Sequence, residues 1–339
     1  MIACAPGKLI LSGEHSVVYG APAIALAVKR HVISHCAVTD QSVSLASASL
    51  SWSLPDLKRE GVISWADLVA LGEYLDQRYT LFEQDRLPVG QILESPQQLL
   101  LYAVAQLLPA VLPATGISLE VKSQLPAGAG MGSSAAATAS VLTLFADYFG
   151  HAFPLTEKYR LVRYCERLCH GRGGMIDAAT VTHGGLIQVQ DGQIQSLDFP
   201  LGDGWYYVNS GNPAVGTGEC VDYVRQQHAS DLIWQRFADI TEALMRQIKR
   251  REDPLESLHE NHQLLSQIGV VPEPVSRFIE QLEKCGGAGK ISGAGAIRGN
   301  GGGALVVYAP NIDLTSLCDK FGYSFLAIEE DSEGARLCN

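Results

Sequence analysis

Apolar and polar positions change their period several times along the chain, and each change marks an element. Residues 2–5 are apolar, Pro6-Gly7 interrupts them, and an extended stretch follows over 8–12 before a turn at Gly13, which predicts two opening strands. Residues 23–38 are rich in Ala, Ile and Val, and 43–53 alternate apolar with small polar residues at the two-residue period of a half-buried strand. Helical spacing appears at 65–80, 96–108 and 134–149; in the third, Ala135, Ala136, Ala139, Leu142 and Phe145 fall on one side. Residues 117–121 between the last two have strand character. Further helices are expected at 155–169, 217–227, 231–250, 254–268 and 273–284, with strands at 185–190, 204–209, 290–292 and 303–308. The mixture lacks strict βαβ alternation, which points to α+β over a doubly wound sheet. A chain of 339 residues exceeds the length at which one core tends to divide, so two domains are expected, 1–195 and 196–339, joined near the polar, glycine-containing connections of 190–203.

Composition narrows the partners. A hydrophobic fraction of 47% excludes a disordered chain. The formal charge of −11 argues against nucleic acid or an anionic membrane, since either needs a positive surface. The opening residues lack the basic leader of a signal peptide, and the apolar region 99–119 is broken by Gln106, Pro109 and Pro113, so a soluble cytoplasmic protein is expected. The eight cysteines form no C-x-x-C pair. Cys165, Cys169 and His170 lack a second ligand pair at zinc spacing, which leaves buried free thiols as the reading.

The 34 glycines are the compositional excess, and many cluster where a strand gives way to a helix. The run Pro126-Ala-Gly128-Ala-Gly130-Met-Gly132-Ser-Ser-Ala135 follows the strand at 117 and enters an alanine-rich helix. Glycines let successive N–H groups converge, and the helix start adds unpaired amides and the positive end of its dipole: a cradle for phosphate. The plainer alternative is a serine N-cap on a glycine turn. The P-loop spacing is absent, and the dinucleotide fingerprint fails because Ser133 stands where its last glycine belongs.

This loop resembles the second motif of the GHMP small-molecule kinases. Two further runs resemble that family's other motifs: Ala5-Pro-Gly-Lys8 through Gly13-Glu-His-Ser-Val-Val-Tyr-Gly20, and Lys290-Ile-Ser-Gly-Ala-Gly295 followed by Gly301-Gly-Gly303. The resemblance implies an N-terminal ribosomal-protein-S5-like domain and a C-terminal ferredoxin-like domain, with the active site in the cleft between them. It also implies ATP held by Pro126, Gly128, Gly130, Met131, Gly132, Ser133, Ser134 and Ala135, and Mg2+ held by Ser134 and Glu166. Asp177 would accept the acceptor's proton, and Lys8 would lower that hydroxyl's pKa and steady the transferred charge. Glu14, His15, Thr217, Gly293 and Ala294 would line the acceptor pocket, with His15 bonding an acceptor carboxylate. Within the family the amino-terminal run is similar to that of mevalonate kinases, implying mevalonate as the small acceptor alcohol. A phosphomevalonate or sugar kinase, or a non-catalytic nucleotide-binding homologue, stays open, as does a homodimer. Arg172 and two glycines depart from the family pattern before Asp177. The inserted Ala296-Ile-Arg-Gly-Asn300 offers Arg298 to the phosphates, while Lys290 reads equally as a charge at a strand start.

Overall fold

The computed structural model describes residues 1–39, 48–126, 128, 130–171, 174–229 and 232–338. Its first strand, β1 (Ile2–Ser12), is continuous where the sequence predicts two. Pro6 and Gly7 lie at a register shift against β2 (Ala23–Val38), a bulge where the missing proline N–H is tolerated. Every residue of β1 after Ile2 is buried, so neither face shows a polar alternation. The strand predicted at 43–53 is β3 (Ser49–Leu54), while 40–47 lie outside the described residues. It forms a hairpin with β4 (Arg59–Ser64), which periodicity missed because Arg59, Glu60 and Gly61 leave it little apolar pattern. Helices α1 (Trp65–Glu83) and α2 (Gln97–Ala105) follow, then β5 (Ile117–Ser123), α3 (Ser133–Tyr148), α4 (Leu155–His170), α5 (Met175–His183), β6 (Leu186–Gln190) and β7 (Gln193–Leu197).

A second unit contains β8 (Trp205–Asn209), α6 (Thr217–His228), α7 (Ile233–Arg250), α8 (Leu255–Gln267), α9 (Glu273–Lys284), β9 (Ala288–Ile291), β10 (Ala304–Tyr308), α10 (Thr315–Phe321) and β11 (Ser324–Ala327). Two sheets result. The first has the order β12-β1-β2-β5-β3-β4, with β6 and β7 attached beside β2; its last member β12 (Arg336–Leu337) comes from the carboxyl-terminal residues. The second has the order β11-β8-β10-β9. Tyr102 and Phe145 are fully buried in the core of the first sheet and its helices, Phe237 and Phe278 in that of the second. In α9, Val275, Phe278, Ile279 and Leu282 repeat at helical spacing and are all buried, each worth about 1.5–3 kcal/mol of transfer free energy. No helix among the described residues is long and apolar enough to cross a membrane.

After β11 the chain returns to the first sheet. Asp331 N–H donates to the Ala27 carbonyl and Gly185 N–H to that of Asp331, at 2.9 and 2.6 Å. The Asp331 carboxylate accepts from His31 Nε2 at 2.6 Å, from the backbone N–H groups of Glu333 and Gly334 at 3.0 and 2.9 Å, and from Arg336 at 3.1 Å. Burial raises its pKa, but these donors outweigh burial and hold it at about 2. Cys4 and Cys338 form a disulfide beside the β1–β12 pairing. That corrects the expectation of free thiols throughout: six cysteines are free, and of these Cys285 is exposed.

Candidate active site

The loop between β5 and α3 places Gly128, Gly130 and Gly132 at φ of 68°, 71° and 70°, the left-handed region that favours glycine. Gly132, not a serine, occupies the N-cap of α3; Ser133 is the first helical residue and no side chain caps the helix. The first helical bond runs from Ala136 N–H to the Gly132 carbonyl at 2.9 Å, so the preceding amides belong to the helix's unpaired first turn. The loop is fastened to β1 by Lys8 N–H donating to the Met131 carbonyl at 2.9 Å, with the Met131 side chain buried in the core. It touches the second unit as well. A Cβ on Gly128 would meet Asn212 Oδ1 at 2.7 Å, and one on Gly130 the Ser292 carbonyl at 3.6 Å. The loop, with Pro126 at its entrance and Ala135 in the first turn of α3, therefore lies where the two units face each other.

Under it lies a buried cluster of oxygens and charges. Ser134 Oγ donates to Glu166 Oε2 at 2.8 Å, and Thr138 Oγ1, one turn further along α3, donates to Glu166 Oε1 at 3.2 Å. Glu166 is fully buried on α4, and His170, one turn on, approaches it at 3.5 Å. Burial pulls the His170 pKa down, but the hydrogen bond and charge of Glu166 and the charge of Asp177 outweigh both burial and Lys8, so it is raised. Asp177 sits in the first turn of α5, whose N-cap is Gly174. Lys8 Nζ lies 3.0 Å from Asp177 Oδ1, with side-chain exposures of 5% and 23%, so the lysine is enclosed and the carboxylate reaches solvent. Arg172 lies outside the described residues.

The remaining residues divide. Glu14 pairs with Lys290 Nζ, which also donates to the carbonyls of Ile10 and Leu11 at 3.2 Å each. Lys290 is thus a fully buried charge joining β9 to the end of β1, not a surface charge; burial lowers its pKa against the pull of Glu14. Glu14 Oε2 is buried with no hydrogen-bond partner among the described residues. His15 Nε2 meets the Ala294 carbonyl at 3.1 Å. Burial, opposed by that bond and aided by Lys290, lowers its pKa to about 4, so the ring is neutral near pH 7. A neutral ring that donates through Nε2 to that carbonyl presents an acceptor at Nδ1 in this state. Gly293 and Ala294 form the loop after β9 beside it. Thr217 is exposed at the first position of α6, behind a Gly216 N-cap, and no hydrogen bond or ion pair among the described residues ties it to the others. Arg298 is held by Glu219 through Nη1 and Nη2 on the exposed surface of α6.

Sequence reasoning passed over two members of the cluster. Thr138 carried a legible signal, four residues after Ser134 on the same helix face. His170 was weighed only as a zinc ligand, although it stands four residues after Glu166.

Residues 98–185, which include the loop, Glu166 and Asp177, match the GHMP kinases N terminal domain. A mevalonate kinase from Pyrococcus abyssi is 28% identical over 326 residues, covering 91% of this chain and 89% of that protein. A crystal structure of a mevalonate kinase superposes with a TM-score of 0.80 at 18% identity, covering 98% of this chain and all of that one. A Lactococcus lactis galactokinase solved with galactose superposes at 0.73 with 14% identity, covering 99% and 95% of the two chains. Loop, carboxylates and lysine thus stand on a fold shared by kinases of different acceptors. The chain is a phosphotransferase whose residues 98–185 match the GHMP kinase N-terminal domain, and it is similar in sequence over most of its length to mevalonate kinases.

Proposed function

We propose that the chain transfers the γ-phosphoryl group of ATP to the 5-hydroxyl of mevalonate, giving 5-phosphomevalonate and ADP, an early step of isoprenoid synthesis in the cytoplasm. The observation that carries this reading is the Lys8–Asp177 pair at 3.0 Å, beside a glycine loop that has no cation of its own. Residues 1–195 and 196–339 would be the two walls, the carboxyl-terminal return excepted. The amides of Gly128 through Ala135, with Pro126 and Met131 fixing the loop, would receive the phosphate oxygens. Asp177 accepts the proton of the attacking hydroxyl. Lys8, held against it, favours the ionised carboxylate and stabilises charge on the transferring group.

The donors at the helix start suit Mg2+: Ser134 hydroxyl and Glu166 carboxylate are hard oxygen ligands 2.8 Å apart. When held there, the ion would supply positive charge that neutralises the phosphates. Thr138 and His170 orient the Glu166 carboxylate. Glu14, His15, Gly293, Ala294 and Thr217 would form the acceptor side. Since His15 presents an acceptor, it is suited to receive a bond from a hydroxyl of the substrate, and the backbone amides of the 293–295 loop are the donors available to its carboxylate.

ADP release measured with mevalonate, phosphomevalonate, galactose and homoserine tests the reading. Turnover with mevalonate is expected to exceed the others by at least 100-fold; turnover with galactose alone would overturn it. The galactokinase superposition supports a second reading, a sugar acceptor, which the same assay decides.

A further inference from the structure

On the outer side of α4 a cleft of about 580 Å³ opens toward α1 and the end of α2, walled by Tyr79, Leu161, Tyr164 and three arginines. Arg160, Arg163, Tyr164 and Arg167 are spaced three, four and seven residues apart and so share one face of α4. Arg167 is clamped. Its guanidinium lies 3.8 Å from the Tyr164 ring centre and 4.2 Å from that of Tyr79, and Nη2 donates to Asp76 Oδ1 and the Tyr102 hydroxyl at 2.6 and 2.8 Å. Its Nε and Nη1 are buried without a hydrogen-bond partner among the described residues. Arg160 and Arg163 are both exposed at the mouth, Arg160 loosely paired with Glu157 at 3.4 Å and Arg163 beside the Tyr159 hydroxyl. Three cations thus face one concave surface in a chain of net charge −11, against the two carboxylates Asp76 and Glu157.

We propose that this cleft is a binding site for a small organic phosphate, separate from the candidate active site and filled alongside ATP. Arg160 and Arg163 would take the phosphate as paired donors, Leu161 and the Tyr164 ring the apolar body, and Arg167 is a fixed positive floor. Glu166 precedes Arg167 by one residue, a rotation of about 100°, which turns it off the arginine face of α4 toward Ser134 and Thr138. The cleft is nevertheless wired to the chemistry. The Tyr79 hydroxyl donates to the Gly171 carbonyl at 2.6 Å, and Gly171 ends α4 at the start of the segment that leads to Asp177. A ligand that moves Tyr79 acts on that segment and so on turnover.

The probe is phenyl phosphate, with inorganic phosphate and phenol as its separate halves, titrated by calorimetry into the full chain saturated with a non-hydrolysable ATP analogue and Mg2+. Phenyl phosphate is expected to bind in the presence of the nucleotide, and at least tenfold more weakly to the surface variant carrying both Arg160→Gln and Arg163→Gln. In steady-state assays it should lower kcat severalfold at unchanged KM for ATP, and that effect should vanish in the same variant. Absence of binding at 20 mM, displacement by the ATP analogue, or equal binding to the double variant would overturn the site (on the scale of small-ligand affinities, about −2 kcal/mol or weaker). Binding without any change in kcat would overturn the coupling through Tyr79.

Discussion

Replacing Gly132 by alanine tests the link between the phosphate loop and the lysine. Gly132 has φ of +70°, and a Cβ there would meet Lys8 Cγ at 2.7 Å and Cε at 3.2 Å. Alanine in the left-handed region costs about 1–2 kcal/mol. The contact must also open to an ordinary carbon separation of about 3.7 Å, so the lysine stem retreats by about 1 Å. Its Nζ is the group 3.0 Å from Asp177, and a displacement of that size at a reacting centre lowers a rate about 100-fold. Gly132→Ala should therefore lose about two orders of magnitude in kcat with ATP and mevalonate, and only about 1–2 kcal/mol of stability by denaturant titration. Gly128→Ala is the control: its φ is +68° and its Cβ would meet the Asn212 side chain instead. It bears the same backbone strain without touching Lys8 and should keep kcat within tenfold. A folded Gly132→Ala enzyme within threefold of the parent rate, or an equal loss in Gly128→Ala, would refute the steric argument.

Three other outcomes are expected. Glu166→Gln should raise the Mg2+ concentration needed for half-maximal rate about tenfold or more, and an unchanged Mg2+ titration would remove Glu166 from the metal site; Asp177→Asn should abolish turnover while ATP binding, read by calorimetry, persists. His15 is held at about 4 against an ordinary 6.5, so the unfolded chain takes up its proton first as pH falls. Stability should thus decline between pH 6.5 and 4, by about 3 kcal/mol from this residue, and His15→Gln should remove that part while the share of His262, also lowered to about 4, remains. Asp331 works in the opposite sense: with a folded pKa of about 2 against 3.8, its stabilisation of about 2 kcal/mol is complete above pH 4 and is lost as pH falls through 2. Denaturant titrations from pH 2 to 6 on Asp331→Asn should show this acid limb flattened.

Local patterns were legible where one element contains its own signal. The alanine face of α3 and the four-residue repeat of α9 could be read directly, because helical period and burial agree there. The strand break expected at Pro6-Gly7 failed because a bulge absorbs both residues, and a bulge is defined only by the partner strand β2. Lys290 was ambiguous for the same reason: a lone charge in a short apolar strand has no local account, and its partner Glu14 is 276 positions away. The Cys4–Cys338 pair, separated by 334 positions, lies beyond any spacing rule. In the candidate site, Lys8, Ser134, Glu166 and Asp177 come together as the motif order implies. The state of His15 was not legible, since it depends on a carbonyl supplied by the loop after β9.

The pairing of Ala3 with Leu337 carries a consequence for biosynthesis. At 5–20 residues per second, the ribosome delivers β12 roughly 20–70 s after β1 has emerged. During that interval the outer hydrogen-bonding edge of β1 has no partner, and an unpaired edge invites pairing with other nascent chains. A chaperone that shields extended apolar segments would be most needed in that window, and slowing translation would lengthen the hazard instead of easing folding.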